Sequence, residues 1–440
     1  MENNTVTKLA LITKRSIKDP KERFHNLKHL LNSEYLMVCY EELKKNKAAG
    51  IDGRTKESYT NEEIKEEIET TVSRMKKGKY KPKPVKRVNI PKSKIEKRLL
   101  GIPTVIDKVV QLGITKILES IYEPQFRNTS YGFRPKKNCH EALKAVYKMV
   151  MTKQVNWIID ADIKGFFDNV DHNWLIKCIE ERISDKKFRH FIIKFLKAGI
   201  MEEGKIKATR KGTPQGGILS PILANIYLHY VLDLWFEAIM KEETKGYTEI
   251  VRYCDDFIIG VETKEEAMQI LKKLKERLKK FKLELSMKKT KIIEFGRYAQ
   301  KNSKRRGKRK ADTFEFLGMT HYCSKSLKGK FLMKVRTSKK RMNQKLKEMN
   351  IWLKKIRNLV KIKEIWKLLS SKLRGHYNYY GISSNSKSIQ NYYYQTIRLT
   401  FKWMNRRSQK QSFSWVKFIK YMRFYPLPKP SIKYNMYNIW

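Results

Sequence analysis

Paired cysteines, long apolar runs and, towards the C-terminus, acidic residues are all scarce in this chain. Its five cysteines, Cys39, Cys139, Cys178, Cys254 and Cys323, stand singly, with no C-x-x-C pair. That spacing suggests neither a thiolate zinc site nor a disulfide framework, and it fits a reducing, intracellular setting. No stretch approaches the roughly 18 consecutive apolar residues of a bilayer-spanning helix, so no membrane partner is expected. The opening MENNTVTKLALITKRS carries Glu2 and no sustained apolar core, which does not read as a signal peptide. Between Ser324 and Trp440 only Glu348 and Glu364 are acidic, against 29 Lys+Arg.

The surplus of cations is the dominant feature of what is present. The 440 residues hold 97 Lys+Arg and 44 Asp+Glu, a formal net charge of +53. Such a chain repels itself when folded, so a polyanionic partner is expected, and nucleic acid fits better than a membrane. A hydrophobic content of 41% marks a globular protein. The length suits two or three structural units, and the change in acid content puts a boundary near 300 to 335. Close to it, KNSKRRGKRK (301 to 310) places seven cations in ten residues. It reads as an exposed loop, either simply solvated or in contact with phosphate.

Periodicity predicts strands at 155 to 163 and around residue 255, and helices over 104 to 120, 138 to 151 and 172 to 198. A further helix over 263 to 283 has a Thr263/Glu266 capping box, with Met268, Leu271, Leu274, Leu278 and Phe281 as its core stripe. Beyond 337 the pattern is almost wholly helical. Mixed strands and helices of these lengths indicate an α+β protein rather than a doubly wound one.

Two acidic strands stand out. WIIDADIKGFFDNVDH puts Asp160 and Asp162 on one strand face, with Asp168 and Asp171 suited to capping turns and helices. RYCDDFIIG (252 to 260) sets Asp255 beside Asp256 among strand formers, as either a bland turn or a metal site. Carboxylates in apolar strands cost several kcal/mol unless paired or bound to a metal. Two neighbouring strands could supply three of them to two divalent cations, roughly 3.5–4 Å apart, which in so basic a chain points to nucleotidyl transfer. Between these strands, KGTPQGGILSPILANIYL (211 to 228) has glycines that let backbone approach a ligand, then a buried helix.

In order along the chain, NKAAGIDG (46 to 53), NIPKSKIEKRLLGIPTVIDKVVQ (89 to 111), YGFRPKKNCHEAL (131 to 143), the Asp162 strand, PQGG, YCDD, LELSMKKTKIIEFG (283 to 296) and FEFLGM (314 to 319) resemble the motifs of group II intron reverse transcriptases. These intron-encoded proteins also serve as maturases. The resemblance implies a right-hand polymerase fold, with fingers and an antiparallel palm sheet, followed by an α-helical thumb and maturase domain X. It implies an N-terminal extension and the start of the fingers over 1–85, fingers and palm over 86–330, domain X over 331–404, and a basic aromatic tail over 405–440. That tail would be a reduced DNA-binding segment or the end of domain X. Without a cysteine after Cys323, the family's zinc-dependent endonuclease is not expected.

Carried over residue by residue, the resemblance makes Asp162, Asp255 and Asp256 the ligands of two Mg²⁺ ions, with Mn²⁺ as a possible substitute. Lys92 and Arg98 would grip the deoxynucleoside triphosphate. Phe167 would exclude a ribose 2′-hydroxyl, Gln215 would sit near the nascent base pair and Lys289 near the triphosphate. Gly318 would admit the primer backbone. In SKLRGHYNYYGI (371 to 382), Arg374, His376, Tyr377, Tyr379 and Tyr380 mix cations with rings, which suits unpaired RNA bases, although some of the tyrosines would pack a core. The implied partners are intron RNA, a DNA primer and dNTPs, in a bacterial cytoplasm. Two other readings share these residues: a domesticated enzyme of DNA repair or phage defence, and a non-catalytic splicing cofactor that only binds RNA.

Overall fold

A computed structural model describes residues 5–91, 97–214, 216–409 and 413–438. Lys92 and Gln215 therefore lie outside the described residues, and Arg98 is described as backbone only, in the strand Lys97–Ile102.

The centre of the fold is a four-stranded antiparallel sheet. Its order is Thr248–Tyr253, Asp256–Val261, Trp157–Asp162, Lys291–Glu294. Alternation along the middle strands sends Ile159, Ala161, Phe257 and Ile259 to one face and Ile158 and Ile258 to the other. Each face is buried in a different core. The first core gathers the N-terminal helices, the helix Val105–Tyr122 and the helix Lys264–Lys280. The second joins the helix Cys139–Thr152, a three-stranded sheet over 314–337 and the C-terminal helices. The sheet is thus sandwiched between the two halves of the molecule. A second four-stranded sheet, Lys97–Ile102, Val85–Pro91, Ile200–Glu202, Lys205–Lys207, flanks the centre. The mixed architecture is α+β, with an antiparallel central sheet followed by a helical unit.

Several expected elements shift. The helix expected over 172–198 is two helices, His172–Glu180 and Lys186–Leu196. Asp185 divides them: its carboxylate accepts from Phe188 N of the second helix and also from Leu27 N and Lys28 N. The stripe of Lys264–Lys280 runs through Ala267, Ile270, Leu274 and Leu278, while Met268 is 49% exposed. The basic run at 301–310 begins inside a short helix, Ala299–Arg305, rather than being wholly loop. The helical segment Ser220–Glu243 is long and apolar enough to span a bilayer, yet 72% of its most apolar window is buried inside the protein. Its length is used to cross the core.

C-terminal to the strand Phe331–Thr337 lie the helices Lys339–Ile356, Ile362–Tyr380, Ser386–Met404 and Trp415–Phe424. The last segment folds back onto them. Phe418, Leu427 and Met436 are buried, Trp366 Nε1 donates to Tyr425 O, and Tyr434 pairs with Ile382 in a parallel bridge.

Candidate active site

The two strands bearing Tyr253 and Asp256 are joined by Cys254 and Asp255 alone. Cys254 is left-handed, with φ +59°, and Asp255 is not. A positive φ at the first position only is the pattern of a type II′ turn, which suits the twist of paired strands. The turn resolves the problem of two adjacent carboxylates: Asp256 begins a strand, whereas Asp255 sits at the tip. Across the sheet, Asp256 lies directly opposite Asp162. Directly opposite residues have Cβ atoms about 4.5–5.5 Å apart, and like charges there repel. Asp256 shows the consequence. Burial first, and then the charges of Asp160, Asp255 and Asp162, push its acid up from 3.8 to about 7. The Leu317 backbone N–H donates to it and pulls the other way. Asp160 is raised to about 7 as well, chiefly by burial, although Lys291 counters the shift.

This donor set suits a hard divalent cation. Carboxylates held together at a cost are relieved by metal charge, and oxygen donors are what such ions prefer. The side chains as they stand do not converge on one point: among the described residues, no group of three His, Cys, Asp or Glu could hold an ion. Asp162 is turned towards Lys289, whose Nζ donates to Oδ2 at 2.8 Å. The loop Ser286–Thr290 brings this lysine in, since Ser286 N donates to Asp162 O and Lys289 N to Ser286 O. Lys289, expected near a triphosphate, is therefore a direct partner of Asp162, the carboxylate opposite Asp256.

Phe167 is half-buried, edge-on to Phe166 at 5.4 Å. Its carbonyl accepts from Thr213 N at 2.7 Å, which ties the GTPQGG segment to the Asp162 strand. Phe167, Arg87, Lys211 and Thr213 line a small cavity of about 120 Å³. Asp171 caps the helix His172–Glu180 by accepting from Trp174 N, and it pairs with Lys282. Asp168 is exposed. Leu317 and Gly318, both left-handed with φ +49° and +75°, form the turn between Phe314–Phe316 and Met319–Lys325. Glycine at 318 is required by its φ, because a Cβ there would meet only ordinary contacts with Arg341 and Tyr380. This turn touches both halves of the molecule: Leu317 N–H reaches Asp256, and Leu317 O accepts from Tyr379 Oη at 3.0 Å.

The aromatic motif expected to present rings to RNA is turned mostly inwards. His376, Tyr377 and Tyr380 are buried and Tyr379 is half-buried, leaving Arg374 exposed. At helical spacing, rings three and four residues apart share a face, and here that face packs the second core. His376 stacks on Tyr392 at 3.6 Å, and burial lowers its pKa to about 3, so the ring is neutral.

Sequence reasoning missed the support beneath the turn. Arg252 is wholly buried and ion-paired to Asp233, with Nε donating to Oδ1 at 2.7 Å. Its Nη1 donates to Cys254 O at 2.9 Å and to Asn225 Oδ1 at 3.2 Å. Asn225 Nδ2 in turn donates to Gly132 O, and a Cβ on Gly132 would stand 2.4 Å from Cys254 N. The strained turn is thus held from below by a buried pair and from the side by a glycine that nothing larger could replace. The available signal was Asn225 and Asp233, which together with His229 interrupt an otherwise apolar run at 221–236.

Comparison with known proteins agrees with this geometry. Residues 90–321 match the family described as reverse transcriptase (RNA-dependent DNA polymerase). The group II intron-encoded protein LtrA of Lactococcus lactis subsp. cremoris is 34% identical over 466 residues, spanning 89% of this chain and 76% of that protein. Protein YkfC of Escherichia coli K12 is 33% identical over 62% of this chain and 81% of its own length. A solved telomerase from Candida albicans aligns with a TM-score of 0.44 at 11% identity, over 79% of this chain and 64% of that one. With the family matched across the carboxylate strands and a relative aligned along nearly the whole length, the chain belongs to the reverse transcriptases encoded by group II introns.

Proposed function

We infer that this chain copies RNA into DNA by metal-dependent nucleotidyl transfer, and that it binds group II intron RNA as a splicing maturase. The observation that carries the catalytic reading is the register of Asp256 opposite Asp162, with Asp255 at the turn beside them. Those three carboxylates would hold two Mg²⁺ ions, with Mn²⁺ able to substitute. When bound, such ions make the primer 3′-hydroxyl more acidic and offset charge on the departing pyrophosphate. The protein's own contribution is to keep the carboxylates aimed. Arg252 fixes the turn carbonyl, and Leu317 N–H orients Asp256. Lys289, released from Asp162, becomes a cation available to the triphosphate. Lys92 and Arg98 would take the remaining phosphate oxygens, and Gln215 would sit beside the nascent base pair. Phe167, half-exposed at its cavity, would stand against the sugar and favour a deoxyribose.

The test is primer extension on an RNA template with dNTPs and Mg²⁺. Asp255→Ala should lower the rate at least about a thousandfold, in line with removal of metal-centred charge stabilisation; equal product from both proteins would refute the assignment. Phe167→Ala should raise ribonucleotide incorporation, and unchanged selectivity would remove it as the gate. The maturase reading is supported by kinship with the lactococcal protein along 89% of the chain and by the 29 to 2 excess of cations over acids after residue 323. Binding to a group II intron RNA should exceed binding to an unrelated structured RNA of equal length, and equal affinity would count against it.

A further inference from the structure

Between the helices Lys339–Ile356, Ile362–Tyr380 and Ser386–Met404 lies a cavity of about 460 Å³. Half of its lining is rings: Trp352, His376, Tyr379, Tyr380 and Tyr392. His376 Nε2 is buried and has no hydrogen-bond partner among the described residues. Two cations also line the space. Lys345 pairs with Glu348 at 2.9 Å, and Lys372 lies 4.8 Å from the centre of the Trp352 ring. The cavity adjoins the turn that serves the active site, since Tyr379 bonds Leu317 and Tyr380 approaches Gly318.

One residue of this lining has no structural reason to be what it is. Gly375 sits well inside a 19-residue helix, where glycine is the poorest former after proline. Its φ is not positive and a Cβ would meet nothing within 4 Å, so neither backbone nor packing demands glycine. Gly375 is itself exposed, so a side chain there would stand at the open mouth of the cavity. A helix that gives up propensity at such a point keeps room for something that enters.

We propose that this cavity receives an unpaired nucleobase of the bound template–primer, passing Gly375 to stack among the rings while Lys345 and Lys372 hold the adjoining phosphates. The chemistry matches: aromatic walls take any base face, cations take the backbone, and the neutral His376 and Glu348 can meet a base edge. The space is that of a small-ligand site rather than a packing defect. The proposal rests on the polymerase reading, because it places the ligand in the strand being copied or extended.

The test uses the full chain and short RNA–DNA hybrids, either fully paired or with one extrahelical 2-aminopurine in the RNA or in the DNA strand. By fluorescence anisotropy the bulged hybrid should bind about tenfold more tightly, as expected for one base stacked on aromatic rings, and its fluorescence should be quenched on binding. The strand showing the effect identifies the source. Gly375→Leu should abolish both the preference and the quenching, whereas Gly375→Ala should keep them. Helix content by circular dichroism should be no lower in either variant, and Gly375→Met gives a second blocked form should the leucine variant misfold. No preference for a bulge in the wild type, or full preference in the blocked variants, would overturn the proposal. Primer extension by the same wild-type preparation separates the two failures: extension without bulge preference sinks the cavity alone, and no extension sinks the reading beneath it.

Discussion

Around the turn at Cys254 and Asp255, Asp160 and Asp162 of the neighbouring strand join Asp255 and Asp256, and two of the four are raised to about 7. In the C-terminal unit, 29 cations face Glu348 and Glu364 alone. Each region concentrates charge of one sign, but they do so differently. That site half-buries its charge and holds it on a framework whose members, Arg252, Asp233 and Asn225, are themselves buried. The helical unit leaves its cations in solvent, where water screens them, and buries rings beneath. Concentrated buried charge can be relieved by a small ion of high charge density; spread, exposed charge meets a long polyanion. The difference in burial fits the proposed division between catalysis and grip.

The largest expected effect comes from breaking the hairpin's support. Arg252→Met leaves Asp233 buried and unpaired, and loss of one partner of such a pair costs about 3–5 kcal/mol. Urea denaturation should show that loss, and the double variant Arg252→Met/Asp233→Leu should recover part of it. A single-variant cost below about 1 kcal/mol would mean that the pair does not hold the turn.

The grip is tested by salt. Replacing the exposed Lys339, Lys340 and Lys347 with Gln should reduce the slope of log K against log salt by roughly 2–3 for RNA, if each contacts a phosphate. The same change at Lys272, Lys275 and Lys279, exposed on the helix Lys264–Lys280, should leave the slope nearly unaltered. Equal slopes in the two triple variants would erase the contrast between the regions.

The two regions should also respond oppositely to pH. Asp256 has a folded pKa of about 7, above its ordinary 3.8. The folded state therefore binds the extra proton between those values, and stability falls as pH rises from about 4 to 7. In metal-free buffer, Asp256→Asn should raise Tm by a few degrees at pH 8 and by little at pH 5. His376 has the reverse sign. Its folded pKa is lowered from 6.5 to about 3, so its contribution is lost as pH falls below about 6.5. His376→Phe should flatten the decline in Tm between pH 6.5 and 4 without abolishing it, because His321, lowered in the same way, still titrates. A wild-type acid limb with no histidine dependence would remove that distinction.

Much of the catalytic half was legible because its signals are local. Alternation located the strands of Asp162 and Asp256, and the adjacent aspartates marked a turn. Thr263 was readable as a cap because a cap acts within one turn of helix. The helix expected over 172–198 was misjudged at Asp185, whose partners include Leu27 and Lys28, some 157 residues away. The aromatic motif of the helical unit was only partly legible. Rings and cations in one short stretch look like a binding surface, but a helix separates them by face, so Arg374 points to solvent while His376, Tyr377 and Tyr380 do not.

The sequence by itself determined the chemistry available to this protein: carboxylates in two strands, an excess of cations towards one end, and an ordered set of motifs shared with a polymerase family. Those properties are carried by residue type and short-range spacing, which survive without a fold. Only the tertiary structure decided that Asp256 faces Asp162, that Arg252 reaches under the turn to Asp233 and Asn225, and that Gly375 borders an open cavity rather than a packed one. Each depends on residues distant in sequence meeting in a low-dielectric interior, where the cost of an unpaired charge or an empty space is set by neighbours that no local pattern names.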